Sequence, residues 1–276
     1  MPPDPEVLYW SEMGEALAFH DTFAASATLP DDAVGAITAR PGGGVALAFT
    51  KLDIGFFNRT IGLGVARPAE ESDVDEVVAF YDGAQRQVSV VQIAPHAAPP
   101  ELVGWAEARG YVRSRAWVKM WHSLSAIPDA PTDLRIERIG PEWAEAFGRL
   151  AVVEAYDFPE QVGPAGAAAI GWPGWHHYIG FDGDVPVSTA AMRIEDGAAW
   201  FGFGATSPSH RGRGGQSAMF ARRLSDARDA GCRFAVVETG EDTPENPNPS
   251  YRNMVRAGFE LAYFRHNWVR QVPSAG

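Results

Sequence analysis

Two rounds of one pattern run along the chain: short apolar segments of period two, then longer stretches of period near 3.6. The second round is the clearer. Residues 134–139 read as a short strand, and Pro141 stands at the first turn of a helix reaching about Ala155. Residues 156–175 read as a loop with a short helix. Residues 178–181 and 185–193 make a predicted hairpin about Asp182-Gly183-Asp184, and a turn at Glu195-Asp196-Gly197 leads into a strand over 198–205. Phe220, Leu224 and Ala227 give a helix over 213–230 a buried face at i, i+4 and i+7. An apolar strand over 234–239 follows, then a helix from Pro249 to near Ala257 and an aromatic strand over 261–269. Alternating strands and helices predict an α/β chain on a mixed sheet.

The first round echoes the second. Ile61-Gly62-Leu63-Gly64-Val65-Ala66-Arg67-Pro68 lines up with Phe201-Gly202-Phe203-Gly204-Ala205-Thr206-Ser207-Pro208. Each is followed by a helical run and a β-rich strand, over 88–93 or 234–239. Each half then carries a helix ending in Ala108-Arg109-Gly110-Tyr111 or Arg256-Ala257-Gly258-Phe259, and an aromatic strand over 116–122 or 261–269. Four matches in one order predict two fused copies of one unit. Pro128 and Pro131 bracket a polar segment over 123–133, which predicts a first domain over 1–125 and a second over 132–276.

The copies differ between their glycine-containing strand and the helix after it. The second has Ser207-Pro208-Ser209-His210-Arg211-Gly212-Arg213-Gly214-Gly215-Gln216-Ser217 there. A glycine-rich turn that opens a helix leaves backbone N–H groups unpaired at the positive end of the helix dipole, which suits a phosphate. Gly212, Gly214 and Gly215 remove the Cβ atoms that would hold an anion away. No Lys followed by Ser or Thr comes after Gly214, so this is not a nucleoside triphosphatase loop. A dinucleotide fold needs an acidic residue after the next strand; Glu238 stands there and leaves that reading open. A surface turn rich in Arg and Gly is the alternative without a ligand. The first copy has Ala69-Glu70-Glu71-Ser72-Asp73-Val74-Asp75-Glu76 instead, carboxylates that suit a helix start but repel a pyrophosphate. The first copy is therefore expected to bind no cofactor.

Arg211-Gly212-Arg213-Gly214-Gly215-Gln216 resembles the Q/R-x-x-G-x-G/A signature of the GCN5-related N-acetyltransferase (GNAT) family. It matches at Arg211 and Gly214 and departs at Gln216. Ala257-Gly258-Phe259 is similar to the family's Gly-Phe before its last strands, so the resemblance spans about residues 134–269. The two-copy pattern resembles the family's tandem members with one degenerate half. The resemblance implies two tandem GNAT-like domains, with acetyl-CoA as co-substrate of the second. Arg211, Gly212, Arg213, Gly214, Gly215, Gln216 and Ser217 would hold its pyrophosphate. The strand end at Gly204, Ala205 and Thr206 would meet the pantetheine amides and offer an N–H to the oxyanion, and Asn248 joins the cofactor contacts. Gly214→Asp is expected to abolish acyl-CoA binding while sparing the fold.

Direct transfer to an amine calls for a base and a proton donor. Glu238 is the preferred base, and its counterpart in the first copy is Gln92; a purely structural carboxylate is the equal alternative, with Asp157 and His176 as further candidates. The family's donor Tyr falls at Met254, so Tyr251, one turn earlier, is the candidate acid, or else it packs or caps. Tyr156, Phe158, Trp172, Trp175 and Tyr178 line an acceptor pocket or, equally, the interface between halves. His176-His177 has no third ligand at useful spacing, so no metal is expected. Cys232 and the serines pair with no base, which argues against an acyl-enzyme.

The 276 residues, 46% hydrophobic and 21% charged, suit two ordinary domains. A net charge of −12, with Lys51 and Lys119 the only lysines, argues against nucleic acid or an anionic membrane as partner and mildly favours a cationic acceptor. No apolar run has membrane-spanning length, Met1-Pro2-Pro3-Asp4-Pro5 lacks the regions of a signal peptide, and Cys232 stands alone as a core thiol. A cytoplasmic location is expected. Arg213, Arg222, Arg223 and Arg228 are either a basic patch or, preferably, a solvated helix face paired with Asp226 and Asp229. The leading expectation is an N-acetyltransferase for a small-molecule amine, a homodimer being left open. A non-catalytic acyl-CoA-binding protein is the alternative from another class.

Overall fold

A computed structural model describes residues 3–272. The chain forms two compact units, Met1–Val118 with Ala262–Gly276, and Lys119–Leu261. The first opens with α1 (Pro5–Ser26), capped by Asp4, whose carboxylate accepts from the Glu6 N–H at 2.8 Å. The strands β1 (Ala36–Ala39), β2 (Val45–Phe49) and β3 (Arg59–Ile61) follow, then α2 (Glu71–Gly83), β4 (Val88–Ile93) and α3 (Leu102–Ala108). β5 (Val112–His122) carries the chain into the second unit. There β6 (Arg135–Ile139) and α4 (Ala144–Gly148) lead into a π-helical segment, Arg149–Glu154. The unit continues with α5 (Val162–Ala167), β7 (Trp175–Asp182), β8 (Val185–Glu195), β9 (Ala198–Thr206), α6 (Gly215–Asp229), β10 (Phe234–Gly240) and α7 (Pro249–Arg256). β11 (Glu260–Gln271) returns to the first unit. Among the described residues no helix is long and apolar enough to cross a membrane.

In the first unit the strand order is β1-β2-β3-β4-β11, with β3 and β4 parallel. In the second it is β5-β10-β9-β8-β7-β6, with β9 and β10 parallel and β6 to β9 antiparallel. The crossovers β3–α2–β4 and β9–α6–β10 are the two copies seen in the sequence. A mostly antiparallel sheet is not the doubly wound parallel sheet of a dinucleotide fold, so that reading falls.

The closing strands are the surprise. Sequence order assigns β5 to the first copy and β11 to the second. Instead β11 pairs antiparallel with β4, from His266 opposite Ile93 to Gln271 opposite Val88, and β5 lies beside β10. The division is thus no single cut within 123–133, since residues from 262 onward complete the first unit. Side-chain alternation reveals that a strand exists; it does not name the edge that the strand covers.

α1 and the β1–β2 hairpin also escape the sequence reading. α1 buries Trp10, Met13, Ala16, Phe19 and Phe23, but Glu12 and Glu15 as well, so no apolar stripe stands out. The two glutamates meet Arg265 at 3.0 and 2.6 Å, Glu15 meets Arg59 at 3.2 Å, and Tyr263 donates to Glu12 at 2.8 Å. The single helix expected over 141–155 is a 3₁₀ turn, α4 and the π-helical segment in succession.

Candidate functional site

β9 and β10 pair only over Ala198–Phe201 and Phe234–Val237, although the strands run on to Thr206 and Gly240. Past that point the β9 groups turned toward β10 have no ladder partner. On its other edge β9 meets β8 through a bulge: Thr189 faces Ala205 and Ala191 faces Gly202, which leaves Phe203 and Gly204 opposite Ala190 alone. Phe203 has φ 53°, uncommon for a residue with a Cβ. Side chains take up the carbonyls that the bulge frees. Thr189 Oγ1 donates to Phe203 O at 2.9 Å, while Arg223 donates to Ala191 O at 3.0 Å and Gly202 O at 3.4 Å. Arg223 is therefore buried, not on the solvated face expected of it; Arg222 and Arg228 keep to that face with Asp226 and Asp229. Its guanidinium lies over Phe201 and Phe220, and desolvation pushes its pKa down to about 9.

α6 begins at Gly215 behind Gly214, which has φ 78° and provides no side-chain cap. The first-turn N–H groups of Gly215, Gln216 and Ser217 are thereby open to an outside acceptor. Gly212, at φ 79°, has nothing within 4 Å of where a Cβ would stand, whereas a Cβ on Gly214 would lie 2.7 Å from Pro131 O. Gly214 thus serves the fold itself, and the expectation that Gly214→Asp spares the fold is corrected. Arg213 is bound to Asp133 and Asp182, with Nη1 2.6 Å from Asp182 Oδ2, and it holds both carboxyls below the usual carboxylate range. His210 Nε2 lies 3.3 Å from the same Asp182 oxygen, and exposed Arg211 donates to Thr206 O at 3.3 Å. Gln216 ties α6 to the bulged strand end. Its Nε2 donates to Ala205 O at 2.7 Å, Thr206 Oγ1 at 3.0 Å and Thr189 O at 3.3 Å, and its Oε1 lies over exposed Gly204. In the first unit the chain's own carboxylate fills the matching helix start. Asp73 accepts from Gly42 N at 3.0 Å, Glu70 N at 2.7 Å and the Arg67 guanidinium at 2.7 and 2.9 Å.

Glu238 is the first β10 residue past the last paired rung. Its carboxylate, 7% exposed, accepts from Trp200 Nε1 at 3.0 and 3.2 Å and faces Lys119 Nζ at 3.2 Å. The first unit has a neutral version, in which Gln92 donates to Asn267 at 2.8 Å. Trp200 also meets Trp175 and Phe203 edge to face, and Trp175 stacks on His177, which Phe147 covers. Burial pushes the His177 pKa down to about 3.

The five aromatic residues expected at an acceptor pocket lie on both faces of β7 and in the segment before it. Trp175 belongs to this cluster, whereas Tyr178 donates to Asp226 at 2.7 Å toward α6. Tyr156 is 53% exposed and stacks on Phe158, and Trp172 is half-buried. Asp157 is exposed and His176 half-buried. Asn248, expected among the cofactor contacts, uses both ends of its amide within the fold. Its Oδ1 accepts from Ser250 N and Tyr251 N to cap α7, and its Nδ2 donates to Thr239 Oγ1 and Gly240 O of β10. Tyr251 is half-buried in the first turn of α7, and Met254 is buried. Cys232 is buried too, which raises its thiol pKa. The sequence reading missed Lys119 and Trp200; a lysine inside an apolar strand, in a chain with two lysines, was the available signal.

The chain has the fold of the GCN5-related N-acetyltransferases, in tandem form. Three solved structures carry this. A GCN5-related N-acetyltransferase from Kribbella flavida aligns at TM-score 0.60 and 18% identity, covering 94% of this chain and 96% of that one. A second from Sphaerobacter thermophilus gives 0.57 and 16%, with coverage of 98% and 94%. A tandem GNAT protein from the clavulanic acid biosynthesis pathway gives 0.58 and 17%, with coverage of 99% and 97%. No protein-family model matches the chain, and no curated protein does.

Proposed function

We propose that the second unit is an N-acyltransferase that moves an acetyl group from acetyl-CoA directly to an amine of a small molecule. The observation that carries this is a parted strand pair, β9 and β10, leading into the uncapped, glycine-lined start of α6. The residues fit such a co-substrate. The backbone of Arg211–Gly214 and the first-turn N–H groups of α6 would hold a pyrophosphate. Exposed Gly204 admits an extended arm, with Ala205, Thr206 and the Gln216 carboxamide beside it. Acetyl-CoA would supply an acyl group already activated as a thioester. The chain does the rest. A backbone N–H at the bulge stabilises the oxyanion. Glu238 takes the proton of the ammonium, directly or through water, with Trp200 fixing its direction and Lys119 Nζ holding a further contact at 3.2 Å. Tyr251, one turn before Met254 on α7, is the stand-in for a donor to the departing thiolate, since Met254 has no proton to give. A second reading, acyl-CoA binding without turnover, draws on Met254 and on the Gln216 amide already bonded to Ala205 O.

The test is binding first, then turnover. A ligand at a hundred times its Kd adds about 2.7 kcal/mol to the folded state, so CoA and acetyl-CoA are expected to raise the melting temperature and NAD to leave it unchanged. Gly212→Asp puts a carboxylate into open space, at a left-handed φ of 79° that strains any side chain but Asp and Asn least. It should weaken CoA at least tenfold; unchanged affinity sinks the loop assignment. Thiol release with a panel of amines then separates an enzyme from a binding protein.

A further inference from the structure

Building on the acyl-CoA reading of the second unit, we infer that Trp200 limits the donor to a short acyl group, acetyl or one carbon longer. From Thr206 back to Gly202 along β9 is four residues, roughly 13 Å at 3.3 Å each. An arm anchored at the start of α6 and lying along the open edge of β9 therefore runs toward the bulge at Phe203 and Gly204. Beyond the bulge stands the Trp200 indole.

The ring folds back on its own strand, so that a Cβ on Gly202 would run into its six-membered ring. Glycine at 202 and the indole at 200 are a matched pair: a larger residue at 202 would force the ring out. At its other end the indole reaches across the parting, where Nε1 donates to both oxygens of Glu238 on β10. It thus spans β9 and β10 just past their last paired rung. Trp175 backs it at 6.1 Å and 79° and Phe203 at 6.2 Å and 86°, and the residue is 2% exposed. Edge-to-face packing of three rings fixes the indole, and swinging it aside breaks its bond to a buried carboxylate. A two-carbon acyl group ends at this wall. A six-carbon chain has to displace the ring, the Glu238 contact and the packing of Trp175 together.

The experiment is calorimetric binding of CoA, acetyl-CoA and hexanoyl-CoA to the full chain and to Trp200→Ala and Trp200→Phe. Wild type is expected to bind CoA and acetyl-CoA within a few-fold of each other and hexanoyl-CoA at least tenfold more weakly. Trp200→Ala should remove that difference. Trp200→Phe keeps a ring but loses the bond to Glu238, and should keep most of it. Trp200→Leu takes the place of the alanine variant if that one does not fold. Equal binding of acetyl- and hexanoyl-CoA by wild type, or discrimination that survives in the small variants, overturns the inference while leaving acyl-CoA binding intact. Failure of all three ligands to bind wild type overturns the acyl-CoA reading, and this inference with it.

Discussion

Arg223 is buried against carbonyl oxygens, those of Met219, Ala191 and Gly202, and between the faces of Phe201 and Phe220. Two of those carbonyls belong to the β8–β9 bulge, so the side chain holds the irregular backbone on which the candidate site depends. Arg223→Met fills the space but leaves buried acceptors unpaired, and should cost about 2–4 kcal/mol in chemical denaturation. Arg223→Lys should recover less than half, because a single ammonium cannot reach the two strand carbonyls that Nη1 bridges and the Met219 carbonyl that Nε holds. The loop glycines were legible in the sequence, because a positive φ and close backbone approach leave a compositional trace. Arg223 was not. In a polar–apolar pattern it counts with Arg222, and only the turn of the helix sends the two to opposite environments. Lys119 left one trace, a lysine inside an apolar strand, but its partner did not show: Lys119 and Trp200 meet Glu238 from other strands, and no local spacing records such a meeting.

At the scale of the element, β7 shows what an error of three residues does. The sequence reading started this strand at Tyr178, while the structure starts it at Trp175. The added residues put Trp175 and His177 on the face opposite Tyr178, which separates two of the expected pocket residues and creates a buried histidine. The pH consequence has a definite sign. The folded pKa of His177, about 3, lies below its unfolded value near 6.5, so the unfolded chain takes up the proton first as pH falls. Stability is full above pH 6.5 and declines by about 1.4 kcal/mol per pH unit down toward pH 3. Burial lowers the His176 pKa as well, which adds in the same direction. His177→Phe retains a ring between Trp175 and Phe147 and should flatten this acid limb. Melting temperatures at pH 7.5 and 5 for both proteins test it, with a smaller drop expected in the variant.

For the whole molecule, copy number and the order of the repeated elements were legible because each repeated motif is local. The closure of the units was not, since it rests on pairs such as Gln92 and Asn267, 175 residues apart. Residues 1–131 expressed alone lack β11 and leave an edge of β4 uncovered; residues 132–276 alone lack the strand beside β10. Each fragment is expected to aggregate or stay unfolded by circular dichroism and size-exclusion chromatography, and co-expression of both should recover soluble material. Folded, well-behaved separate halves would contradict the exchange. That exchange also bears on inheritance. The first unit fills its helix start with its own Asp73 and leaves the second unit's strands untouched, yet a deletion that removes it also takes β5. Descent can erode the chemistry of one copy for as long as it likes, but it cannot discard the copy.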